Sequence, residues 1–576
     1  MVCGARWIVL GVFLAAVSAT FGEPEIPSSG CEPLDLDHVL ARNTQFGHLV
    51  PTVAWPGSRA LIYEELRFRQ FSAHLHSPQF ADAWHRPAVI VEARSESDVS
   101  GAVRWATACH WQVVVRSGGH SYAGLSSCNT PHCLQLDLSV MRSLQWRPSS
   151  HTLQAEPGAL ISQVSAYLAL RGVFVPLGTC ADVALGGHLQ SSAYGMLASS
   201  FGSGMDFVTG LRLVLANGTA IAVSDANPRT RALFRAVLGG TPGAFGVITQ
   251  FTLQPVPARA FPHAHLLAYH FRLASNSSEE LLEQLVQHAA WLARDQNNRG
   301  LRDVSLTIMA GRVGAPYAPL AAVLALGEAV SEGWVGLTAP LRALETWLRQ
   351  QHPTTQSVGG ISAYFLWSGR DSGSLAPFRA RYITPLDRLN ARWGWRAKQD
   401  LALPLSLAAA LYVNFVVGRQ DRYAHAYRHS HAPVPPGYGQ AMARELAQRQ
   451  AQGIHSVMIF STLHPSTQFT RNAGTNALQW RHVRWFNDDL LLANASVIEQ
   501  ARVRAQTFHH HTRHFRTDWQ YPTANWMSPL DPSRPTTGSH GALDKRRPYF
   551  QTPAHAKALV DLAQTYDPLE TWLIRF

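Results

Sequence analysis

Between residues 87 and 255 the period of the apolar positions changes repeatedly. Residues 88–92 form a short apolar run. Residues 95–110 carry a helical period behind a Ser/Asp start, and 112–116 is a β-branched strand that runs into Gly118-Gly119. Further strands are predicted at 134–138 and 152–155, and a helix at 161–171. A hairpin is predicted from 211–217 and 219–224, turning through Asn217-Gly218, followed by a helix at 231–238 and a strand at 245–253. Short apolar strands alternating with amphipathic helices indicate a domain that mixes both elements.

Pro255-Val256-Pro257 breaks this pattern, and the texture changes after it. Long amphipathic helices are predicted at 278–295, 318–332 and 339–351, between apolar strands such as 304–310 and 361–367. Pro433, Pro435, Pro436 and Gly437 mark a loop, 516–550 is proline-rich, and 554–565 reads as a last helix. These breaks divide the chain into 1–22, 23–80, 81–257, 258–530 and 531–576. No internal repeat or low-complexity tract is evident.

The N-terminus adds a destination. Arg6 precedes an apolar run at 7–19, then Thr20, Phe21, Gly22, Glu23 and Pro24, the pattern of a secretory signal peptide over 1–22. The run is too short for a comfortable span, and no other stretch approaches about 18 uninterrupted apolar residues, so no stable membrane span is expected. A secreted protein, or one in the secretory lumen, makes the sequons at Asn217, Asn276 and Asn494 meaningful. Once Cys3 leaves with the leader, Cys31, Cys109, Cys128, Cys133 and Cys180 remain. An odd number in an oxidising compartment suggests two bridges and one cysteine with another task. Cys128 and Cys133 are near enough to pair locally, leaving Cys31 with Cys109, and Cys180 to explain.

Composition narrows the class. The 576 residues are 46% hydrophobic and 15% charged, which supports a sizeable core and excludes wholesale disorder. The formal charge of +11 is scattered, and its densest knot is Lys545-Arg546-Arg547. A nucleic-acid footprint would be a clustered basic face or a known motif, so no nucleic-acid partner is expected.

Two glycine loops carry the chemistry. In Arg116-Ser117-Gly118-Gly119-His120-Ser121-Tyr122, a strand delivers glycines that permit close backbone approach to a ligand, with a histidine beside them. In Gly178-Thr179-Cys180-Ala181-Asp182-Val183-Ala184-Leu185-Gly186-Gly187-His188, a cysteine stands eight residues before a histidine. The bland alternatives are an ordinary turn and a small buried hydrophobe. Zinc fits poorly, because one cysteine and one histidine do not complete four ligands.

Together the two loops resemble the flavin oxidases with a vanillyl-alcohol-oxidase-type (PCMH-type) FAD domain, and among them the berberine-bridge-enzyme-like group. The resemblance covers about residues 80–255. It implies an α+β fold: a two-part PCMH-type FAD-binding domain, plus a substrate domain with an antiparallel sheet covered by helices. The segments 23–80 and 81–257 would then start and form the FAD domain, 258–530 would be the substrate domain, and 531–576 would return to the FAD domain. The resemblance also implies that His120 bonds the flavin 8α-methyl group and Cys180 bonds flavin C6, a bicovalent FAD. That would account for the odd cysteine. It places Arg116, Ser117, Gly118, Gly119, Ser121, Gly178, Thr179, Val183, Gly186, Gly187, His188 and Val247 at the cofactor. Tyr194-Gly195, Phe201-Gly202, Asp206 and the segment 243–249 agree with it.

There are departures from the family pattern. Its glycine triplet after Gly-Gly-His is here Ser191-Ser192-Ala193, which makes positive φ costlier. Its Gly-Val is here Ala184-Leu185. In the resembling enzymes a valine at the position of Val183 accompanies oxidase behaviour. The C-terminal match is partial, through Tyr549-Phe550 and Tyr566-Asp567-Pro568. The family's asparagine there is replaced near Pro553, and its late glutamine is missing.

The resemblance implies that FAD accepts a hydride at N5 from a carbon bearing oxygen or nitrogen while the protein removes a proton. Trp519-Gln520-Tyr521-Pro522 loosely resembles the segment supplying a catalytic tyrosine in the family's carbohydrate oxidases. Tyr521 is therefore the expected base, with Asp518 or Asn525 orienting it; a packed loop aromatic is the competing role. Tryptophans in the second half, Trp367, Trp393, Trp395, Trp480, Trp485, Trp519 and Trp526, suggest a sugar platform, although core packing is their commoner use. His509-His510-His511 and His514 lack a completing ligand and read as a solvated basic stretch. The expectation is a secreted FAD-dependent oxidase of an alcohol or sugar hydroxyl, with O2 as acceptor and H2O2 as product. A secondary-metabolite oxidase, a dehydrogenase with another acceptor, and a binding glycoprotein with a decayed site are the alternatives.

Overall fold

The computed structural model describes residues 31–67 in part and 87–272 save 122–125, 129–131 and 240–241. Beyond these it describes 278–299, 304–311, 360–369, 375–411 save 394, 423–430, 433–462, 483–508 in part, and 553–572 save 568 and 570. The leader at 1–22, the helices expected at 318–332 and 339–351, and Tyr521 lie outside the described residues.

The first module is a four-stranded sheet of β1 (Thr52–Ala54), β2 (Val89–Glu92), β3 (Gln112–Arg116) and β4 (Cys133–Asp137), in the order β1-β2-β4-β3. β2, β4 and β3 are parallel, and α1 (Glu96–Ala108) crosses between β2 and β3. Ser95 starts that helix: its side chain accepts the Asp98 N–H at 3.2 Å, and Asp98 accepts the Arg94 N–H at 3.0 Å. Valines alternating along the strands meet Val99, Val103 and Trp105 of α1 in one core. The C-terminal segment closes it. The Val113 N–H donates to the Thr571 carbonyl at 2.8 Å, and Trp572 is buried in this core. Asp567 holds that segment by accepting from the Thr571 and Trp572 amides at 2.7 and 2.9 Å.

The second module contains β5 (Leu144–Arg147), β6 (Thr152–Ala155), β7 (Val173–Phe174), β8 (Val208–Val214), β9 (Ala220–Ser224), β10 (Val247–Leu253) and β11 (Val256–Pro257). Five of these strands form an antiparallel sheet, β5-β6-β10-β8-β9. The β8–β9 turn follows its Asn-Gly signal: Gly218 has φ 76° and the exposed Asn217 accepts the Thr219 N–H at 2.9 Å. α2 (Ile161–Ala169) and α3 (Leu185–Gln190) pack on its core, as does the last helix, Pro553–Tyr566. The Pro255–Pro257 break is tied down, because β11 pairs with β7.

Residues from His263 onward build a third sheet. Its strands are β12 (His263–Arg272), β13 (Val304–Gly311), β14 (Gly360–Gly369), β15 (Trp395–Leu403), β16 (Tyr423–Ser430), β17 (His455–Thr462) and β18 (Trp485–Leu492). Among the described residues the order is β15-β12-β14-β13-β17-β18-β16, antiparallel throughout. α4 (Ser278–Arg299) and α5 (Tyr438–Ala451) cover it. Leu281, Leu282, Leu285, Val286, Ala289 and Leu292 form a buried helical stripe. The Glu283 carboxylate caps α5 by accepting from the amides of Gly437, Gly439 and Gln440 at 2.8, 2.8 and 3.3 Å. The chain is thus α+β, a two-part domain followed by an antiparallel sheet under helices. Trp485, expected among candidate groove tryptophans, is instead fully buried against Tyr438 and Phe460.

Candidate functional site

Both glycine loops meet on one wall between the first two modules. The first leaves the end of β3. Arg116, expected at the cofactor, points into the protein. Its Nη2 pairs with Asp137 at 2.7 Å and also donates to the Leu66 carbonyl at 2.5 Å, bracing the loop from below. The chain then turns through Gly119 at φ 67°, where glycine avoids the left-handed penalty.

The second loop is pinned by its own backbone. The Ala181 carbonyl accepts from the Ser162 amide at 3.3 Å and its hydroxyl at 2.8 Å, and the Val183 carbonyl accepts from the Ile161 amide at 2.8 Å. The amides of Leu185 and Gly186 donate to the Ala159 and Pro157 carbonyls at 2.9 and 2.8 Å. The loops interlock where they lack side chains. A Cβ on Gly118 would stand 2.9 Å from the Ala184 Cβ and amide nitrogen, and one on Gly186 would overlap the Ser117 side chain.

This contact brings His120 beside the second loop. Its Nε2 lies 3.6 Å from Asp182 Oδ1, with His120 mostly buried and Asp182 one-third exposed. Cys180, half-buried, is the one cysteine outside a disulfide among the described residues. Cys31 pairs with Cys109, and Cys128 with Cys133. His188, on α3, accepts the Gly178 N–H at Nε2 (2.9 Å). Desolvation first, and the neighbouring His120 second, pull its pKa down to about 3. It is therefore a neutral imidazole with its proton on Nδ1.

Past His188 the backbone keeps a left-handed path without glycine. Ser192 has φ 106° and Ala193 φ 47°, both buried, and the Ala193 amide donates to the His188 carbonyl at 3.0 Å. Gln190 joins the next segment: its side chain donates to the Gly186 carbonyl at 2.7 Å and accepts the Gly243 amide at 3.1 Å. Tyr194 reaches the third sheet through a side-chain hydrogen bond with Ser461 of β17, and burial raises its phenol above the ordinary range.

Of the other expected site residues, Ser121 is buried, Thr179 and Gly187 are half-buried on the wall, and Val183 packs on the second core. Val247 is buried in the first core and opposes Val214. Tyr521, the expected base, with its orienting candidates Asp518 and Asn525, the remaining tryptophans at 480, 519 and 526, and the 509–514 histidines lie outside the described residues. Sequence reasoning missed Asp182, Gln190 and the Tyr194–Ser461 bridge. Asp182 had a signal, being the only acidic residue between Glu156 and Asp206.

The wall fits a flat, phosphate-bearing cofactor. Glycine and other small residues line two loops, an imidazole and a thiol stand beside them, and no metal-holding cluster of His, Cys, Asp or Glu occurs among the described residues. Comparison with known proteins agrees. Residues 87–224 match the FAD binding domain family. Berberine bridge enzyme-like 2 of Arabidopsis thaliana is 31% identical over 32% of this chain and 34% of its own. Aclacinomycin-N/aclacinomycin-A oxidase of Streptomyces galilaeus is 27% identical over 46% and 47%. The chain spans about a third of the length of the first curated relatives it matches. The solved structure of berberine bridge enzyme from Eschscholzia californica superposes with a TM-score of 0.67 over 94% of this chain and 99% of that one. Its sequence identity is 16%, so the likeness establishes the fold. Among the described residues no helix is long and apolar enough to cross a membrane.

Proposed function

From a chain that belongs to the berberine-bridge-enzyme-like FAD-linked proteins of the PCMH-type superfamily, we propose a secreted FAD-dependent oxidase of an alcohol or sugar hydroxyl. Bound FAD supplies the redox chemistry: a hydride leaves the substrate carbon for flavin N5, and dioxygen takes the electrons as hydrogen peroxide. The chain's part is to hold, orient and exclude. His120 and Cys180 hold the cofactor covalently, at the 8α carbon and C6. Gly118, Gly119, Gly178, Gly186 and Gly187 let the backbone approach it. His188 stays neutral and fixes the amide of Gly178. Val183 is a small side chain where a bulkier one would obstruct oxygen. Tyr521 takes the substrate proton, and a tyrosine doing so needs its pKa of about 10 lowered by its surroundings.

The observation that carries this reading is the interlock of the two loops, which places His120 on the same wall as the one described cysteine left out of the disulfides. A secondary metabolite is the second candidate substrate, favoured by the name of the Streptomyces relative, an aclacinomycin oxidase.

The test uses secreted protein denatured in acid, as wild type, His120→Ala, Cys180→Ala and the double variant. Flavin absorbance should stay with the polypeptide in each single variant and leave only in the double. Wild type is then incubated in air with panels of sugars, alcohols and aclacinomycins while peroxide is read. Flavin that leaves the wild-type chain in acid refutes covalent attachment, and flavin reduction without peroxide refutes the oxidase.

A further inference from the structure

We propose that Asp182 is the positioning residue for His120, holding the proton on Nε2 so that Nδ1 presents the lone pair that bonds the flavin. This rests on the histidyl attachment proposed above. The carboxylate oxygen Oδ1 lies 3.6 Å from His120 Nε2, a charge-pair distance slightly longer than a hydrogen bond. In a neutral imidazole the nitrogen facing a carboxylate is the one that carries the proton, and the other is the nucleophile.

The placement is built. Both carbonyls flanking Asp182 are tied to the start of α2, that of Ala181 by Ser162 and that of Val183 by Ile161. The His120 loop is seated on the same stretch through Gly118 against Ala184. Neither side can drift without breaking backbone hydrogen bonds or the interlock. His188, whose imidazole also acts electrostatically on His120, is neutral, and Asp182 brings a carboxylate to face His120.

The attachment balances with residues and reagents already named. The Nδ1 lone pair forms the bond to the 8α carbon, one proton leaves that carbon, and a second leaves Nε2 by way of Asp182. Two protons and the two electrons left on the cofactor reduce one dioxygen to hydrogen peroxide. Asp182 itself forms no bond to the cofactor.

A Cys180→Ala background isolates the histidyl bond. Full-length secreted protein is made as Cys180→Ala alone and with Asp182→Ala or Asp182→Glu. For each, total flavin, flavin retained after acid denaturation, and far-UV circular dichroism are measured. Cys180→Ala should retain its flavin. Adding Asp182→Ala should cut the acid-stable fraction by about tenfold or more while dissociable flavin still co-purifies, because a histidine without its orienting carboxylate populates the wrong tautomer. Asp182→Glu should restore much of the loss, which a merely structural role would not do. If the Asp182→Ala double variant retains as much acid-stable flavin as Cys180→Ala, the role of Asp182 is overturned and the histidyl bond stands. If it is misfolded and Asp182→Glu fails to restore attachment in a folded chain, the role is overturned as well. If Cys180→Ala already releases all its flavin, the histidyl bond falls, and this inference with it.

Discussion

Ser192→Gly should stabilise the protein, although it removes a side chain from a buried position. Ser192 sits at φ 106°, outside the small left-handed well that other residues tolerate. Holding a non-glycine residue there costs on the order of 1–3 kcal/mol. Glycine returns part of that by losing more backbone entropy on folding, roughly 0.5–1 kcal/mol. The net gain is about 0.5–2 kcal/mol, which at ~2.1 cal/mol/K of unfolding entropy per residue is roughly 0.4–1.7 °C in melting temperature for a chain of 576 residues. Ala193 is the internal control. At φ 47° it lies near the left-handed well, and its methyl is packed where a Cβ on Gly204 would come within 2.9 Å of it. Its removal forfeits about 0.8 kcal/mol of burial as well as the glycine entropy, which together offset the roughly 1–2 kcal/mol of left-handed strain relieved, so Ala193→Gly should change stability little. Thermal unfolding at matched flavin content checks both, since bound cofactor adds its own stabilisation. A Ser192→Gly protein that melts no higher than wild type would refute the argument, because side-chain contacts rather than backbone strain would then set the energy at 192.

His188 gives a pH signature. Its folded pKa of about 3 lies below the unfolded value near 6.5. The neutral form is native, so its contribution is intact above pH 6.5 and erodes by about 1.4 kcal/mol per unit as pH falls toward 3. His188→Asn should flatten that part of the urea-unfolding profile between pH 6.5 and 4, and an unchanged slope would exclude the burial of a neutral imidazole. Beneath the third sheet, Arg449 is fully buried, bidentate to Asp489 at 2.6 and 2.7 Å, and paired with Glu445 at 2.8 Å. Asp489→Ala should cost about 3–5 kcal/mol by leaving a buried cation underpaired, read as a lower yield of folded protein and an early urea midpoint. A loss under about 1 kcal/mol would mean that Glu445 alone suffices.

Much of the first two modules was legible because their signals are local. Valine runs, the Ser95 cap, the Asn217-Gly218 turn and the glycine loops each act within a few residues, and the strands and helices stand within a few positions of where the pattern puts them. The third sheet was less legible. β16 reads Tyr-Ala-His-Ala-Tyr-Arg-His-Ser, and β18 carries Asn487, Asp488 and Asp489 in mid-strand. The polar middle of β18 is accommodated by partners distant in sequence: Asp489 by Arg449, and Asn487 by the Tyr438 hydroxyl at 3.0 Å. Propensity cannot see a partner 40 or more positions away.

The same distinction orders the site. The glycines, His120 and Cys180 announce themselves by spacing, because what they do depends on local backbone shape and on their own atoms. Arg116 shows the limit of that reading, since its place in the motif suggests a ligand contact while its guanidinium is occupied by Asp137. Asp182 shows the reverse. It stands out as a lone acid between Glu156 and Asp206, but that does not distinguish a carboxylate facing a histidine from a solvated turn acid, and only the seating of one loop on the other puts Oδ1 near Nε2. The sequence departures follow from this as well. Ser192 and Ala193 replace glycines, yet the backbone keeps its positive φ, so the path around the wall is imposed by the surrounding packing at Gly195, Gly204 and His188 rather than by local preference. A wall that tolerates this strain is one whose shape is determined from several sides at once, as a site that must hold a rigid, flat cofactor requires.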